Sequence, residues 1–231
     1  MSLNISFILP ALNEEGNLSQ TVEVLERVAL SLSLKHEIII VDDGSTDNTY
    51  CEASNIVQIN NNVRVIQHKK NTGIGAAYKS GLKLSNKDFV MLIPADNAWA
   101  EYDIINILNM VGKTDIVIPY ILDAGDKSRI RVLVSKFYTL FINKLFNLNI
   151  PYYNGIVVHK VKIIKGINIV SNDFTYQTEA LVKLLKSGNF SYMCIKANTI
   201  QRNKGKSKAI NLFNIIRALK SILILYFKKD N

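Results

Sequence analysis

Glu37-Ile38-Ile39-Ile40-Val41-Asp42-Asp43-Gly44-Ser45-Thr46-Asp47-Asn48 is an apolar, β-branched run that stops at two carboxylates and a turn. No polar residue interrupts Ile38 to Val41, so both faces of this strand are buried, as in a parallel sheet covered by helices. The neighbouring sequence repeats the pattern. Upstream, Ile5–Leu9 is a strand punctuated by Pro10 and Asn13, and Leu18–Leu34 carries Leu18, Val22, Leu25, Val28, Ala29 and Leu32 at helical spacing. Downstream, a helix to about Ile56, strand Val63–Gln67, helix Gly73–Leu84, strand Phe89–Ile93, a helix around Ile104–Val111 and strand Ile116–Ile118 follow in turn. Such alternation predicts an α/β fold with a doubly wound, mostly parallel sheet and helices on both faces. Ligands of such sheets bind outside the carboxyl ends of the strands, which selects the loops Pro10–Asn17, Asp42–Asn48 and Pro94–Glu101.

The second half is less regular. Ile130–Phe146 reads as a helix, Tyr152–His159 as an extended crossing with Gly155, Tyr176–Lys186 as a helix ending at Gly188, and Phe190–Ile195 as a strand. Beyond the polar Gln201–Lys208 stretch, Ala209–Phe227 is a mostly apolar helix on which Asn211, Asn214, Arg217 and Lys220 form one narrow polar stripe. No repeat or linker divides the chain. Residues 1–208 are expected as one domain, and residues 209–231 as a basic amphipathic helix that either completes this domain or docks on a membrane.

The chain has 231 residues, 48% hydrophobic and 20% charged, which suits a sizeable core and excludes disordered or low-complexity classes. Its longest apolar run, Ile222–Phe227, is far short of the ~18 residues a membrane span needs. With no leader-like start and only Cys51 and Cys194, a reducing cytoplasm is the expected compartment. The net charge of +9 is concentrated at the end of the chain. Lys196 to Asn231 holds nine basic residues against Asp230 alone, leaving 19 basic against 18 acidic before it. An anionic partner is expected there: ligand phosphates or acidic lipid head groups. Nucleic acid is not, because the basic segment lacks interleaved stacking aromatics.

Several chemistries lack their signatures. Gly73-Ile74-Gly75 has Tyr78 where a dinucleotide fingerprint needs its third glycine, and it follows the third strand. Here the glycines are expected to start a helix tightly against the sheet. There is no phosphate-binding Walker loop, His36, His68 and His159 are scattered, and no serine lies in a nucleophile elbow. What remains are acids at strand ends. Asp42 and Asp43 emerge together, one suited to accept from a nucleobase or ribose and the other to cap the next helix. Asp96 follows Phe89–Ile93, where a carboxylate can hold a divalent ion against a diphosphate.

In order along the chain, Ile8-Leu9-Pro10-Ala11-Leu12-Asn13-Glu14-Glu15, Val41-Asp42-Asp43-Gly44-Ser45-Thr46-Asp47 and Asn71-Thr72-Gly73-Ile74-Gly75-Ala76-Ala77 resemble the opening signatures of family 2 glycosyltransferases of GT-A fold. Arg202-Asn203-Lys204-Gly205-Lys206-Ser207-Lys208 resembles the Arg-x-x-Gly-x-Ser-Lys segment of the dolichol-phosphate mannosyltransferase-like branch, and Glu179 that branch's inward Glu. The resemblance spans roughly residues 4–208. It implies a Rossmann-like GT-A fold in which Pro10, Leu12, Glu14, Asp42 and Asp43 line a nucleotide pocket. By the same resemblance Asp96 binds Mg²⁺ or Mn²⁺, and Arg202 and Lys208 face the donor diphosphate or acceptor phosphate. Arg129, Arg131, Asn154 and Glu179 fall on its phosphate and acceptor side.

Two positions depart from the family pattern. Pro94 replaces the first Asp of Asp-x-Asp, and Ala98 stands where relatives carry a further metal ligand, so the metal site is weakened. Asn97, Glu101 and Asp103 are oxygen donors close by in sequence. The resemblance implies inverting transfer of a sugar from a nucleotide diphosphate sugar to a dolichyl or undecaprenyl phosphate. A glycan acceptor would need a general base. Asp173 and Glu179 are the candidates in the second half, and the absence of a compelling motif around either favours the phosphate. A saccharide-extending enzyme and a catalytically silent nucleotide-sugar binding module stay open at this point. So does the partner of the C-terminal helix: its own domain, a second subunit in a homodimer, or the cytoplasmic face of a membrane.

Overall fold

The computed structural model describes residues 3–121, 129–198 and 212–227. Its first half runs β1 (Asn4–Ala11), α1 (Leu18–Ser31), β2 (Lys35–Asp42), α2 (Thr49–Ile59), β3 (Val63–Gln67), α3 (Ile74–Leu84), β4 (Phe89–Leu92), α4 (Glu101–Leu108) and β5 (Ile116–Ile121). The second half adds α5 (Arg129–Phe146), β6 (Val158–Lys160), α6 (Val161–Ile164), α7 (Tyr176–Lys186), β7 (Tyr192–Ala197) and α8 (Leu212–Phe227).

One seven-stranded sheet in the order β3-β2-β1-β4-β6-β5-β7 organises the molecule. Among the described residues only β6 is antiparallel, to β4 on one side and β5 on the other. The doubly wound, mostly parallel sheet expected from the sequence is therefore present. Its central strands alternate between two cores, as a period of two residues requires. Ile5, Phe7, Leu9, Ile38, Ile40 and Met91 face one side with Leu18, Val22 and Leu25 of α1 and Ile104 and Ile107 of α4. Ile8, Ile39, Val41, Val90 and Leu92 face the other, with Ala77, Tyr78 and Leu82 of α3 and Leu181 and Leu184 of α7.

Helix α1 stops at Ser31, short of the expected Leu34. Ser33 takes φ +50° and the Leu34 amide returns to the Ala29 carbonyl at 2.8 Å, a left-handed closure that ends the helix. The expected extended segment Tyr152–His159 contracts to β6. Before it, the Asn143 side chain pins the loop by bonding both backbone groups of Ile150, at 2.9 and 3.0 Å, and by accepting the Tyr153 hydroxyl at 2.8 Å. On α8, Ile222 is buried in the second core and Tyr226 meets the Phe146 ring edge-on at 5.8 Å. No helix among the described residues is long and apolar enough to cross a membrane.

Chain order places the site. β1 pairs with β2 on one edge and with β4 on the other, so the strand order reverses there, the position at which open α/β sheets form their ligand crevice beyond the carboxyl ends of the strands.

Candidate functional site

At that crevice the last residues of β1 are flanked by both candidate acids. The Ala11 carbonyl accepts the Asp43 amide at 2.8 Å, and the Pro10 carbonyl accepts the Ala95 amide, next to Asp96, at 3.3 Å. Asp43 and Asp96 thus leave strands that border β1 on opposite sides, two sheet spacings or roughly 10 Å apart. Pro10, at the end of β1, and Leu12 and Glu14, in the loop after it, are half-buried.

The loop after β1 is tied to the loop after β2. Asn13 adopts φ +54° and in that conformation accepts the Thr46 amide at 2.8 Å on Oδ1 while donating its own amide to Ser45 Oγ at 3.0 Å. Glu14 donates its amide to Thr49 Oγ1 at 2.9 Å, and Asn48 donates its side-chain amide to Glu15 at 2.9 Å. Beneath them Glu52 accepts the amides of Gly16 and Ser19, each at 2.8 Å, and so satisfies the exposed start of α1 from the first turn of α2. Asp47 accepts the Thr49 amide at 3.0 Å and its hydroxyl at 2.5 Å; burial opposes ionisation, yet these bonds hold its carboxyl below the usual range. These cross-loop bonds hold the two loops in one arrangement, which lowers the conformational entropy that binding between them costs.

The two strand-end acids turn inward. Asp42, fully buried, accepts the Ser45 amide and the Gln67 side-chain amide, each at 3.1 Å. Asp43, 4% exposed, accepts the Thr72 amide at 3.0 Å, the Thr72 hydroxyl at 2.7 Å and the Gly73 amide at 2.8 Å, and its Oδ1 is 2.7 Å from His68 Nδ1. Asp43 does not cap the next helix, α2, as expected; its bonds hold the Thr72-Gly73 turn that leads into α3. His68 in turn reaches Ser80 Oγ at 2.9 Å through Nε2.

The glycines at the start of α3 also differ from expectation. Their close approach is to the segment around Asn172 and not to the sheet. A Cβ on Gly73 would stand 2.3 Å from the Asn172 carbonyl oxygen, and one on Gly75 2.8 Å from the Ser171 oxygen. Gly81 is the glycine that lets α3 approach the sheet, its absent Cβ facing the Ile8 side chain at 2.5 Å. The Asn172 segment is held by charge from both sides. Lys79 Nζ donates to the carbonyls of Ile169 and Val170 at 3.2 Å and to Asn172 Oδ1 at 2.6 Å. Glu179 accepts the amides of Val170 at 2.9 Å and Ser171 at 2.8 Å, and pairs with Lys183 at 3.0 Å. Burial works against the charged form of Glu179, but these donors outweigh it and keep the carboxyl ionised.

Asp96 is 6% exposed, and its Oδ1 accepts the Ala98 amide at 3.2 Å. Asn97, at φ +50°, bonds Thr21 and Gln20; Glu101 pairs with Arg27; Asp103 accepts Asn198 at 3.4 Å. Among the described residues no group of three His, Cys, Asp or Glu side chains could hold a metal ion. The donor set fits Mg²⁺ or Mn²⁺ only as an ion shared between Asp96 and the oxygens of a bound diphosphate, completed by water.

Asn154 is exposed in the loop before β6, where Gly155 admits the Pro119 carbonyl oxygen to within 2.5 Å of a would-be Cβ. Arg129 and Arg131 open α5, whose side chains at these two positions lie outside the described set. Arg202 and Lys208 lie outside the described residues altogether. The sequence reading missed Glu52, His68 and Lys79. Each bonds a partner far along the chain or across the fold, except His68 with nearby Ser80, so no local pattern marks them.

The family model for glycosyl transferase family 2 matches residues 6–165, which contain both strand-end acids, the α3 glycines and Asp96. The chain belongs to this family. Curated relatives include a dolichyl-phosphate beta-glucosyltransferase of Dictyostelium discoideum, 30% identical over 125 residues, covering 50% of this chain and 38% of the relative. A dodecaprenyl-phosphate galacturonate synthase of Rhizobium johnstonii is 21% identical over 96% of this chain and 67% of its own length. Among solved structures, glucosyl-3-phosphoglycerate synthase of Mycobacterium tuberculosis, crystallised with Mn²⁺, UDP and phosphoglyceric acid, matches with a TM-score of 0.75 at 15% identity, over 99% of this chain and 80% of that one. That likeness establishes the GT-A fold of this family 2 member. The family and the fold inferred from the three loop motifs are both borne out.

Proposed function

We propose that this chain transfers a sugar from a nucleotide diphosphate sugar to a polyprenyl phosphate, with inversion at the anomeric carbon. The observation that carries the reading is the pair of carboxylate-bearing loops on either side of the β1 terminus, at the crevice where the sheet order reverses. Pro10, Leu12 and Glu14 line the nucleotide pocket, and Asp42 and Asp43 give it a fixed wall. A Mg²⁺ or Mn²⁺ ion at Asp96 would neutralise charge growing on the leaving diphosphate. We assign Arg202 and Lys208 to the same charge, and Arg129, Arg131 and Asn154 to the acceptor side.

The choice of acceptor rests on proton chemistry. A saccharide hydroxyl must lose a proton to a base, whereas a phosphate is already an anionic nucleophile. Glu179 has both oxygens engaged on backbone amides, and Asp173 Oδ1 accepts the Thr175 amide at 2.9 Å and hydroxyl at 2.6 Å at the start of α7. Both acids serve the scaffold, which supports the acceptor that needs no base. The polyprenyl-phosphate enzymes among the relatives support it too. Such an acceptor resides in a membrane, so the protein works at a membrane surface, which we assign to the cytoplasmic face.

A thermal-shift panel of UDP, GDP and their sugars, with and without Mn²⁺, tests the pocket. One nucleotide class should raise the melting temperature in a metal-linked way, and Asp96→Ala should remove the metal dependence. Stabilisation by no nucleotide, or a metal effect that survives Asp96→Ala, would contradict the assignment.

A further inference from the structure

We propose that α5 and α8 together form a docking surface for an anionic lipid bilayer. On α5 the solvent-facing side chains are Leu133 at 69% exposure, Lys136, Phe137 at 66%, Leu140 at 68% and Lys144. Their spacing of three and four residues places all five on one face of the helix. Helix α8 repeats the arrangement with Lys220, Leu223, Ile224 and Phe227, the last 77% exposed. The helices are joined from beneath, since Ile142 and Phe146 of α5 and Ile222 of α8 belong to one core and Tyr226 packs edge-on against Phe146. Each of these neighbouring helices thus turns a row of large apolar side chains to solvent at helical spacing, and exposed apolar rows of this kind mark interaction sites.

Charge selects the partner. Neither helix contains an Asp or Glu, while α5 carries Arg129, Arg131, Lys136 and Lys144 and α8 carries Arg217 and Lys220. In a protein-protein interface between copies of this chain, the lysines of one face would meet lysines of the other with no carboxylate between them, which is unfavourable. An anionic bilayer satisfies both features: apolar side chains enter the head-group and acyl boundary while lysines beside them meet lipid phosphates. The surface extends the membrane reading from the C-terminal helix to α5, which sequence periodicity alone does not single out. The proposal rests on the polyprenyl-phosphate reading only for the biological reason to visit a membrane; lipid binding is measured without donor or turnover.

The test is flotation of the full chain with vesicles of phosphatidylcholine alone and of phosphatidylcholine with phosphatidylglycerol. Wild-type protein should float with the anionic vesicles and much less with the neutral ones. L133Q/F137Q/L140Q should lower the bound fraction at least tenfold, with far-ultraviolet dichroism, melting temperature and nucleotide-induced thermal shift unchanged. K136Q/K144Q should lower binding to anionic vesicles on the order of twentyfold, since each basic side chain near such a surface is worth about fivefold. Anionic-vesicle binding equal to wild type in the folded triple variant would overturn the proposal. So would failure of the wild type to float with the triple variant abolishing a dimer seen by light scattering, which would assign the face to a second copy. Flotation with no turnover would sink the activity and leave the surface standing.

Discussion

The Asp43 carboxylate, one residue beyond the end of β2, accepts the Gly73 amide at 2.8 Å, where α3 begins. With the Thr72 amide and hydroxyl at 3.0 and 2.7 Å, this bond fastens the loop after β2 to the loop after β3. Asp43→Asn removes a charged acceptor and turns an amide group toward donors. It should lower stability by about 2–4 kcal/mol in urea unfolding and weaken nucleotide binding in parallel. Full stability with binding alone lost would mean that Asp43 acts on the nucleotide and not on the loop.

Gly75→Ala should be far more damaging than its helical position implies. A methyl there would stand 2.8 Å from the Ser171 oxygen and 2.9 Å from the Asp173 oxygen, both backbone atoms of a segment that Lys79 and Glu179 hold at Ile169, Val170, Ser171 and Asn172. The expected loss is roughly 2–4 kcal/mol in denaturant. Gly112→Ala is the control: its φ is +90° but nothing lies within 4 Å, so only backbone strain of about 1–2 kcal/mol applies. Equal effects would show that the Asn172 segment yields.

Glu179→Gln separates scaffold from base. The neutral amide can accept only one of the two backbone amides and loses the pair with Lys183, so unfolding free energy should fall by about 2–4 kcal/mol. Turnover per folded molecule should be largely retained. An undiminished melting temperature with turnover reduced a hundredfold or more would make Glu179 a base and favour a hydroxyl acceptor.

His159 gives the fold an acid sensitivity of known sign. It is 1% exposed, and burial pushes its imidazolium down to about 3 from the usual 6.5. Its Nε2 lies 3.1 Å from the Gln177 side-chain nitrogen. The unfolded chain binds a proton near pH 6.5 and the folded chain does not until about 3, so stability is intact above the upper value and declines as pH falls through this window. The decline is about 1.4 kcal/mol per pH unit, or roughly 2 kcal/mol by pH 5. His159→Gln should flatten the difference in melting temperature between pH 7 and pH 5; an unchanged difference would place the acid sensitivity elsewhere.

The sheet was legible in the sequence because its central strands are apolar on both faces, and a run such as Ile38 to Val41 has few other ways to be buried. The strand-end loops were legible because chain order alone puts their turns at one edge. What sequence could not supply was orientation. Asp42 and Asp43 read as one acid for a ligand and one for the next helix, whereas their oxygens engage Ser45, Gln67, Thr72 and Gly73. Glu52 looked like any acid in a first helical turn, because its partners Gly16 and Ser19 lie 36 and 33 residues away. The polar stripe on the last helix was visible, but periodicity does not tell which apolar face meets the core. Burial of Ile222 beside exposure of Leu223 and Ile224 does.

The most direct measurement incubates the purified protein with a radiolabelled UDP- or GDP-linked sugar, Mn²⁺ and a polyprenyl phosphate, and follows label into the lipid phase. The expected result is a labelled lipid released by mild acid, one nucleoside diphosphate formed per sugar transferred, and no product when the unphosphorylated polyprenol is supplied. Equal labelling of the unphosphorylated alcohol, or label entering only a free saccharide, would contradict the assignment.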